Sequence, residues 1–320
     1  MLEERRLTIR EAYSEASSFL RRHGVRDPEA NAERLLEHVL GESRSGMLLR
    51  WGEKFPVEQL GNWKALLERK AAGEPVQYII GEQEFYGHAF EVTPAVLIPR
   101  PETELLVEEV LRLGRLLWSA EAVDSGTGLL RHADGAEERE AVRHRPTVCD
   151  IGTGSGAIAL TLAAACAEWR VLASDLSPEA LAVARSNALR LGVGERVTFA
   201  EGDLLRPWIE RRERIDILVS NPPYIPEADE PGLQPEVRLY EPRTALYGGE
   251  DGLVLYRRMT AQLAELVALP RLVGFEVGFG QAQAVRGLLE QAGDWDDLYV
   301  VPDLAGIERH VIAYRSNDKI

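Results

Sequence analysis

From Thr147 to Ala313 the chain alternates short β-forming runs with helical stretches, and no other feature constrains its fold as much. Candidate strands are 147–151, 170–174, 197–201, 215–220, 271–277, 298–301 and 309–313. Helical patterning falls between them at 156–168, 178–191, 252–266 and 281–292. Such alternation builds a parallel α/β sheet with helices on both faces. The last two strands are joined by a loop holding Pro302 and Gly306, too short for a parallel crossover. An antiparallel pair at the sheet edge is therefore expected.

The chain upstream reads differently. Thr8 and Glu11 form a capping box before Ile9, Ala12, Ala16 and Leu20, and Gly24 lies past the end. Asp27-Pro28 starts a second helix through Leu35, Leu36 and Val39 to Gly41, and a third is expected over 57–72. These first 75 residues carry no paired acids, histidine cluster or Gly-rich loop, so they read as a small all-α helical bundle. Val76, Tyr78 and Ile80, then Phe85, Tyr86, Phe90 and Val92, are β-formers split by Gly81 and Gly87, which predicts a β-hairpin linker over 76–96. Pro99 and Pro101 then lead into a helix over 102–117, opening the main domain, 97–320. Residues 119–146 are polar and aperiodic and read as an exposed, flexible insertion.

A length of 320 residues suits about two domains. The net charge of −15, from 52 acidic and 37 basic side chains, weighs against generic nucleic-acid binding. No apolar run reaches the roughly 18 residues of a membrane helix, and the charged N-terminus lacks a signal-peptide core. A cytoplasmic protein with no membrane partner is expected. Cys149 and Cys166 read as core residues, and the six histidines show no metal-ligand spacing.

The first candidate strand of the α/β region runs into Asp150-Ile151-Gly152-Thr153-Gly154-Ser155-Gly156, directly before a helix. Glycines at such a turn let the backbone approach a ligand at the carboxyl edge of the sheet. Asp175, ending the next strand, suits a grip on two ribose hydroxyls. Gly152, Gly154 and Ala157 also satisfy the dinucleotide pattern. Asp150, however, would repel a pyrophosphate and attract the ammonium of a methionine moiety, which favours S-adenosyl-L-methionine. Asp203, at the end of the third strand, can accept from an adenine amino group with Leu204 beside the ring, although a lone acid there is often a turn former.

The most specific signal is Asn221-Pro222-Pro223-Tyr224, directly after the fourth strand. Two prolines remove backbone donors, fix φ and leave carbonyls free to accept. Asn221 adds a side-chain acceptor, so both hydrogens of a planar NH2 group can be held, and Tyr224 can stack on the group that carries it. That grip raises electron density on a poor nitrogen nucleophile and aims it at a methyl donor.

With these residues, the chain resembles the glutamine methyltransferases of peptide-chain release factors. The likeness rests on Glu74 to Ile79, Phe85-Tyr86-Gly87, Leu97 to Glu104 (LIPRPETE), the glycine loop, NPPYIP, Glu241 to Leu246, and Gly248 to Leu253. It implies a seven-stranded, Rossmann-like class I methyltransferase domain behind a helical bundle and a β-hairpin. It also implies S-adenosylmethionine bound by Asp150, Gly152, Thr153, Gly154, Ser155, Gly156, Asp175, Asp203, Leu204 and Asn221. Pro222, Pro223 and Tyr224 would form a glutamine pocket with Asn221, the bundle would help dock the release factor, and a monomer is expected. Two departures stand out: Leu204 replaces a frequent aromatic, and 268–273 lacks a common Pro-Gly-Gly turn. The rival readings are a methyltransferase acting on an exocyclic amino group of adenine or guanine, a nicotinamide-dependent oxidoreductase, and a non-catalytic docking protein.

Overall fold

The computed structural model describes residues 7–124 and 145–316, and they form two units. The first holds 1–82 with 92–94 and 233–241; the second holds 83–91, 95–232 and 242–320.

In the first unit, α1 (Ile9–Arg22), α2 (Pro28–Leu40), α3 (Arg44–Leu49), α4 (Leu60–Ala71) and α5 (Val76–Ile80) surround one apolar core. Ile9, Leu20, Leu35, Leu36 and Met47 are fully buried there. The capping box opens α1, with Glu11 N–H donating to Thr8 Oγ1 at 3.2 Å and Thr8 N–H to Glu11 Oε2 at 2.8 Å. Pro28 is the first residue of α2, but the Asp27 side chain caps nothing. The stretch expected as the first hairpin strand is instead α5: Pro75 precedes its first residue and Gly81 ends it in the left-handed region at φ 80°. A run with four residues of high β propensity, Val76, Tyr78, Ile79 and Ile80, yields to this punctuation.

The second unit begins with a tight hairpin, β1 (Glu82–Phe85) and β2 (His88–Glu91), shorter than the stretch expected. Helix α6 (Pro101–Asp124) runs past the expected stop at 117, so part of the anticipated insertion is helical. Residues 125–144 lie outside the described residues. The sheet then assembles from β3 (Thr147–Ile151), β4 (Arg170–Asp175), β5 (Val197–Glu201), β6 (Ile217–Ser220), β7 (Leu272–Glu276), β8 (Asp297–Pro302) and β9 (Glu308–Tyr314). Between them lie α7 (Ala157–Ala165), α8 (Pro178–Arg190), α9 (Arg206–Glu210), α11 (Val254–Gln262) and α12 (Ala282–Ala292). The short helix α10 (Pro235–Tyr240) belongs to the first unit, where Lys70, wholly buried, donates to Glu236 Oε1 at 2.6 Å and to the Glu74 carbonyl at 3.0 Å.

Strand order is β5-β4-β3-β6-β7-β9-β8, parallel except for β9, which runs antiparallel to both β7 and β8. Seven strands with an antiparallel edge match the expectation. Both faces are buried: Val148, Ile217 and Val219 pack on one side, and Cys149, Leu218 and Val273 on the other. That explains the near-continuous apolar runs of the central strands. Strand order reverses between β3 and β6, and a crevice opens beyond carboxyl ends at such a switch point. Among the described residues, no helix is long and apolar enough to cross a membrane.

Candidate methyl-transfer site

At that edge lies a cavity of about 670 Å³. Its wall includes Gly152, Thr153, Gly154 and Ser155 from the loop after β3, Asp175 after β4, Asp203 and Leu204 after β5, and Asn221, Pro222 and Pro223 after β6. The structure thus brings together residues that lie far apart in the chain.

The glycine loop follows β3 without a break. Gly152, Gly154 and Gly156 have φ of 70°, 56° and 84°, a left-handed backbone that side chains resist. The loop spends most of its donors inside the fold. The Gly152 and Thr153 N–H groups donate to the Ser174 carbonyl at 2.9 and 3.0 Å, Gly154 N–H to Asp175 Oδ2 at 2.9 Å, and Gly156 N–H to the Thr153 carbonyl at 2.8 Å. Among the described residues, only the Ser155 N–H of these five has no such bond. A pyrophosphate at a helix N-terminus calls on several converging N–H groups, so this loop is poorly equipped for a dinucleotide.

Asp150 does not reach the cavity wall. It is buried beneath the loop, where Oδ2 accepts from Thr153 Oγ1 at 2.6 Å and Ala159 N–H at 3.2 Å, while Oδ1 has no partner. Burial pushes its carboxyl up to about 7, against the two donors that pull it down. Gly156 likewise stands behind the wall as the cap of α7. Asp175 does face the cavity, although Gly154 and Ser177 N–H groups, both at 2.9 Å, occupy one position on each oxygen. Burial raises its carboxyl as well. A carboxylate has about four acceptor positions, so these donors do not exhaust it and hydroxyls can still be accepted. Asp203 is paired with Arg258, and Leu204 sits beside it at φ 54°.

Beside the loop, β6 delivers Asn221-Pro222-Pro223, and Ser220 Oγ ties the ends of β6 and β3 by donating to the Ile151 carbonyl at 2.6 Å. Tyr224 is not part of the wall. Its carbonyl accepts from Gln281 Nε2 at 2.9 Å, and its hydroxyl donates to Glu276 at 3.4 Å. Burial, and then the Glu276 charge, push its phenol well above the usual range.

Several contributors carried no recognisable chemistry in the sequence. Gly252, at φ 74°, passes so close to this loop that a Cβ would lie 2.1 Å from the Tyr224 carbonyl oxygen. Asn187, wholly buried, donates to the Ser155 carbonyl at 2.9 Å and to the Glu91 carbonyl at 3.0 Å, joining the glycine loop to β2. Glu104 accepts from Tyr86 N–H at 2.8 Å and fixes the hairpin turn. Among the described residues, no cluster of three or more His, Cys, Asp and Glu could hold a metal.

The sheet order and the edge cavity define a methyltransferase fold, and comparison with known proteins agrees. Residues 114–235 match the family described as methyltransferase small domain, and 11–81 match the PrmC N-terminal domain. The catalytic domain of hMettl16, solved in complex with MAT2A 3′UTR hairpin 6, superposes with a TM-score of 0.52 over 80% of this chain and 83% of that one, at 15% identity. The release factor glutamine methyltransferase of Bacillus anthracis is 41% identical over 96% of this chain and 99% of its own length. That of Bacillus subtilis is 40% identical over 98% and 99%. The chain belongs to the release factor glutamine methyltransferase family.

Proposed function

We propose that this protein transfers a methyl group from S-adenosylmethionine to the side-chain amide nitrogen of the glutamine in the Gly-Gly-Gln tip of peptide-chain release factors. The observation that carries the reading is that Asn221-Pro222-Pro223, Asp175 and the glycine loop line one cavity. A volume near 670 Å³ is of the size that drug-sized ligands occupy. Asp175 has acceptor positions for a ribose, Leu204 offers apolar surface to an adenine, and the buried Asp150, raised to about 7, gains from ionising when a cation lies nearby. A loop short of free N–H donors suits a sulfonium compound better than a pyrophosphate.

Bound there, S-adenosylmethionine supplies an electrophilic methyl group. The chain's own part is to hold the acceptor. Asn221 Oδ1 and the Pro222 carbonyl accept the two N–H bonds of the glutamine amide, and Pro222 and Pro223 stiffen the loop that carries them. An amide nitrogen is a weak nucleophile because its lone pair is delocalised. Two acceptors raise its electron density and direct it along the line of displacement, where positioning supplies much of the acceleration. The first unit helps dock the release factor, and the enzyme works as a cytoplasmic monomer without binding nucleic acid directly.

The test is transfer of labelled methyl to purified release factor, beside the same factor with that glutamine replaced by alanine. Label on the native factor alone is the expected result. Label on neither, with the cofactor bound, overturns the reading and makes unmethylated ribosomal RNA and DNA the next acceptors to try.

A further inference from the structure

Behind Asn221 the structure holds a buried polar chain that the chemistry above does not use. Asn221 Nδ2 donates to Thr103 Oγ1 at 3.2 Å, and Thr103 Oγ1 donates to Glu276 Oε2 at 2.6 Å. Thr103 and Glu276 are 4% and 1% exposed, and the bond between them is buried, while Thr103 and Asn221 both line the cavity. Tyr224 completes the arrangement by donating to the other Glu276 oxygen at 3.4 Å, and the buried His310 ring lies 3.8 Å from Oε2. Three distant parts of the chain meet here. Thr103 stands in the first turn of α6, Asn221 follows β6, and Glu276 ends β7, the strand beside β6.

We infer that Thr103 and Glu276 are positioning residues that fix which end of the Asn221 amide faces the substrate. An asparagine side chain fits its site in either of two orientations, one presenting an acceptor and the other a donor. A carboxylate only accepts, so Glu276 takes the one hydroxyl proton of Thr103, and the 2.6 Å separation is that of a charge-assisted bond. Thr103 then has only lone pairs to offer. Asn221 meets them with Nδ2, and Oδ1 remains for the ligand in the cavity. Flipping the amide would set Oδ1 against an oxygen lone pair and present N–H to an incoming N–H. The relay rests on the reading that Asn221 holds the glutamine amide. It also gives the Thr of the PRPETE block, which itself lines the cavity, a task at the reaction centre.

The experiment is single-turnover methyl transfer to release factor by Thr103→Val and Thr103→Ser, each made in the native and in the Asn221→Ala background. Cofactor affinity is measured calorimetrically on all variants. Thr103→Val keeps the shape and removes both bonds; it is expected to slow transfer about 10- to 100-fold, with cofactor affinity and release-factor KM within about threefold. Thr103→Ser, which keeps the hydroxyl, is expected to stay within about threefold of native in rate. In the Asn221→Ala background Thr103→Val should cost less than about twofold, because its effect passes through Asn221. A full loss persisting in that background overturns the relay and marks Thr103 as merely structural, and so does an unimpaired Thr103→Val. Thr103→Ala serves in place of the valine variant if that protein does not fold. An Asn221→Ala enzyme with native rate removes the reading on which the relay rests, an outcome distinct from the other two.

Discussion

Asn221 and Asp175 line the same cavity with different tasks, and single substitutions separate them. Asn221→Ala should leave cofactor affinity within a few-fold while methyl transfer falls about 10²-fold or more, the scale of losing one oriented polar contact. Asp175→Ala should instead weaken cofactor binding directly. Calorimetry paired with single-turnover rates checks both, and equal loss of affinity in the two variants would refute the division. Asp150 makes a prediction of different form. Its folded carboxyl is raised from 3.8 to about 7, so the protonated acid is the form the fold prefers. The stability it contributes is fully present below about pH 4 and is lost as pH rises through 7. Asp150→Asn cannot ionise. The melting temperature of the cofactor-free variant should therefore gain on that of the native protein between about pH 4 and 7 and level off above that. Binding of a cation runs the other way, because it favours ionised Asp150, so cofactor affinity should climb through pH 7 in the native protein and stay flat in the variant. A melting difference that does not change with pH would show that Asp150 is not the titrating group.

At the scale of elements, the loop after β6 owes its shape as much to its backing as to its own prolines. Gly248 N–H donates to the Ile225 carbonyl at 3.0 Å, Ile225 N–H to the Leu246 carbonyl at 3.0 Å, and Gly252 lies against the Tyr224 carbonyl. Gly252→Ala adds a Cβ where only 2.1 Å is available, at a φ that alanine resists, so the Tyr224 carbonyl must move and its bond from Gln281 must break. The expected result is a rate loss of about 10²-fold with a destabilisation of about 2 kcal/mol, while cofactor affinity changes little. Denaturant unfolding and single-turnover rates decide it, and a fully active Gly252→Ala enzyme would show that the loop is set by its prolines alone. What the sequence made legible follows the same division. The α1 cap, the glycine loop, Asp175 and Asn221-Pro222-Pro223 were readable because Gly, Pro and capping residues dictate conformation within a few positions. The stretch 76–80 was misread as a strand because its side chains favour β structure, while the decisive signals were Pro75 before it and Gly81 after it. Thr103, Asn187, Gly252 and Glu276 carried no local signal for their roles. Their partners come from elsewhere in the chain, as when Thr103 meets Glu276 across 173 positions, and only the folded sheet edge brings them together.

At the scale of the whole molecule, surface charge decides what the fold leaves open. One fold can carry unrelated functions, and the hMettl16 catalytic domain, which shares the fold at 15% identity, was solved in complex with a MAT2A 3′UTR hairpin. Non-specific nucleic-acid binding is driven by cations that displace counterions from phosphates, with dissociation constants typically near 10⁻⁴ to 10⁻⁶ M at physiological salt and a steep dependence on salt concentration. A chain with 52 acidic and 37 basic side chains carries a net −15 and repels such a backbone at long range. Many of its arginines are moreover paired within the fold, as Arg50, Arg69, Arg170, Arg206, Arg243 and Arg257 are with neighbouring carboxylates. Transfer RNA and duplex DNA should therefore bind more weakly than about 10⁻⁴ M at 150 mM salt, beyond the weak end of the ordinary range. Fluorescence anisotropy across 50 to 200 mM salt measures both the affinity and its slope. Tight binding with a steep negative slope would reveal a basic surface that the overall charge conceals, and would restore an exocyclic base amine as a rival acceptor for Asn221 and Pro222. Weak, salt-insensitive binding leaves the amide of a protein side chain as the acceptor that matches both the site and the surface around it.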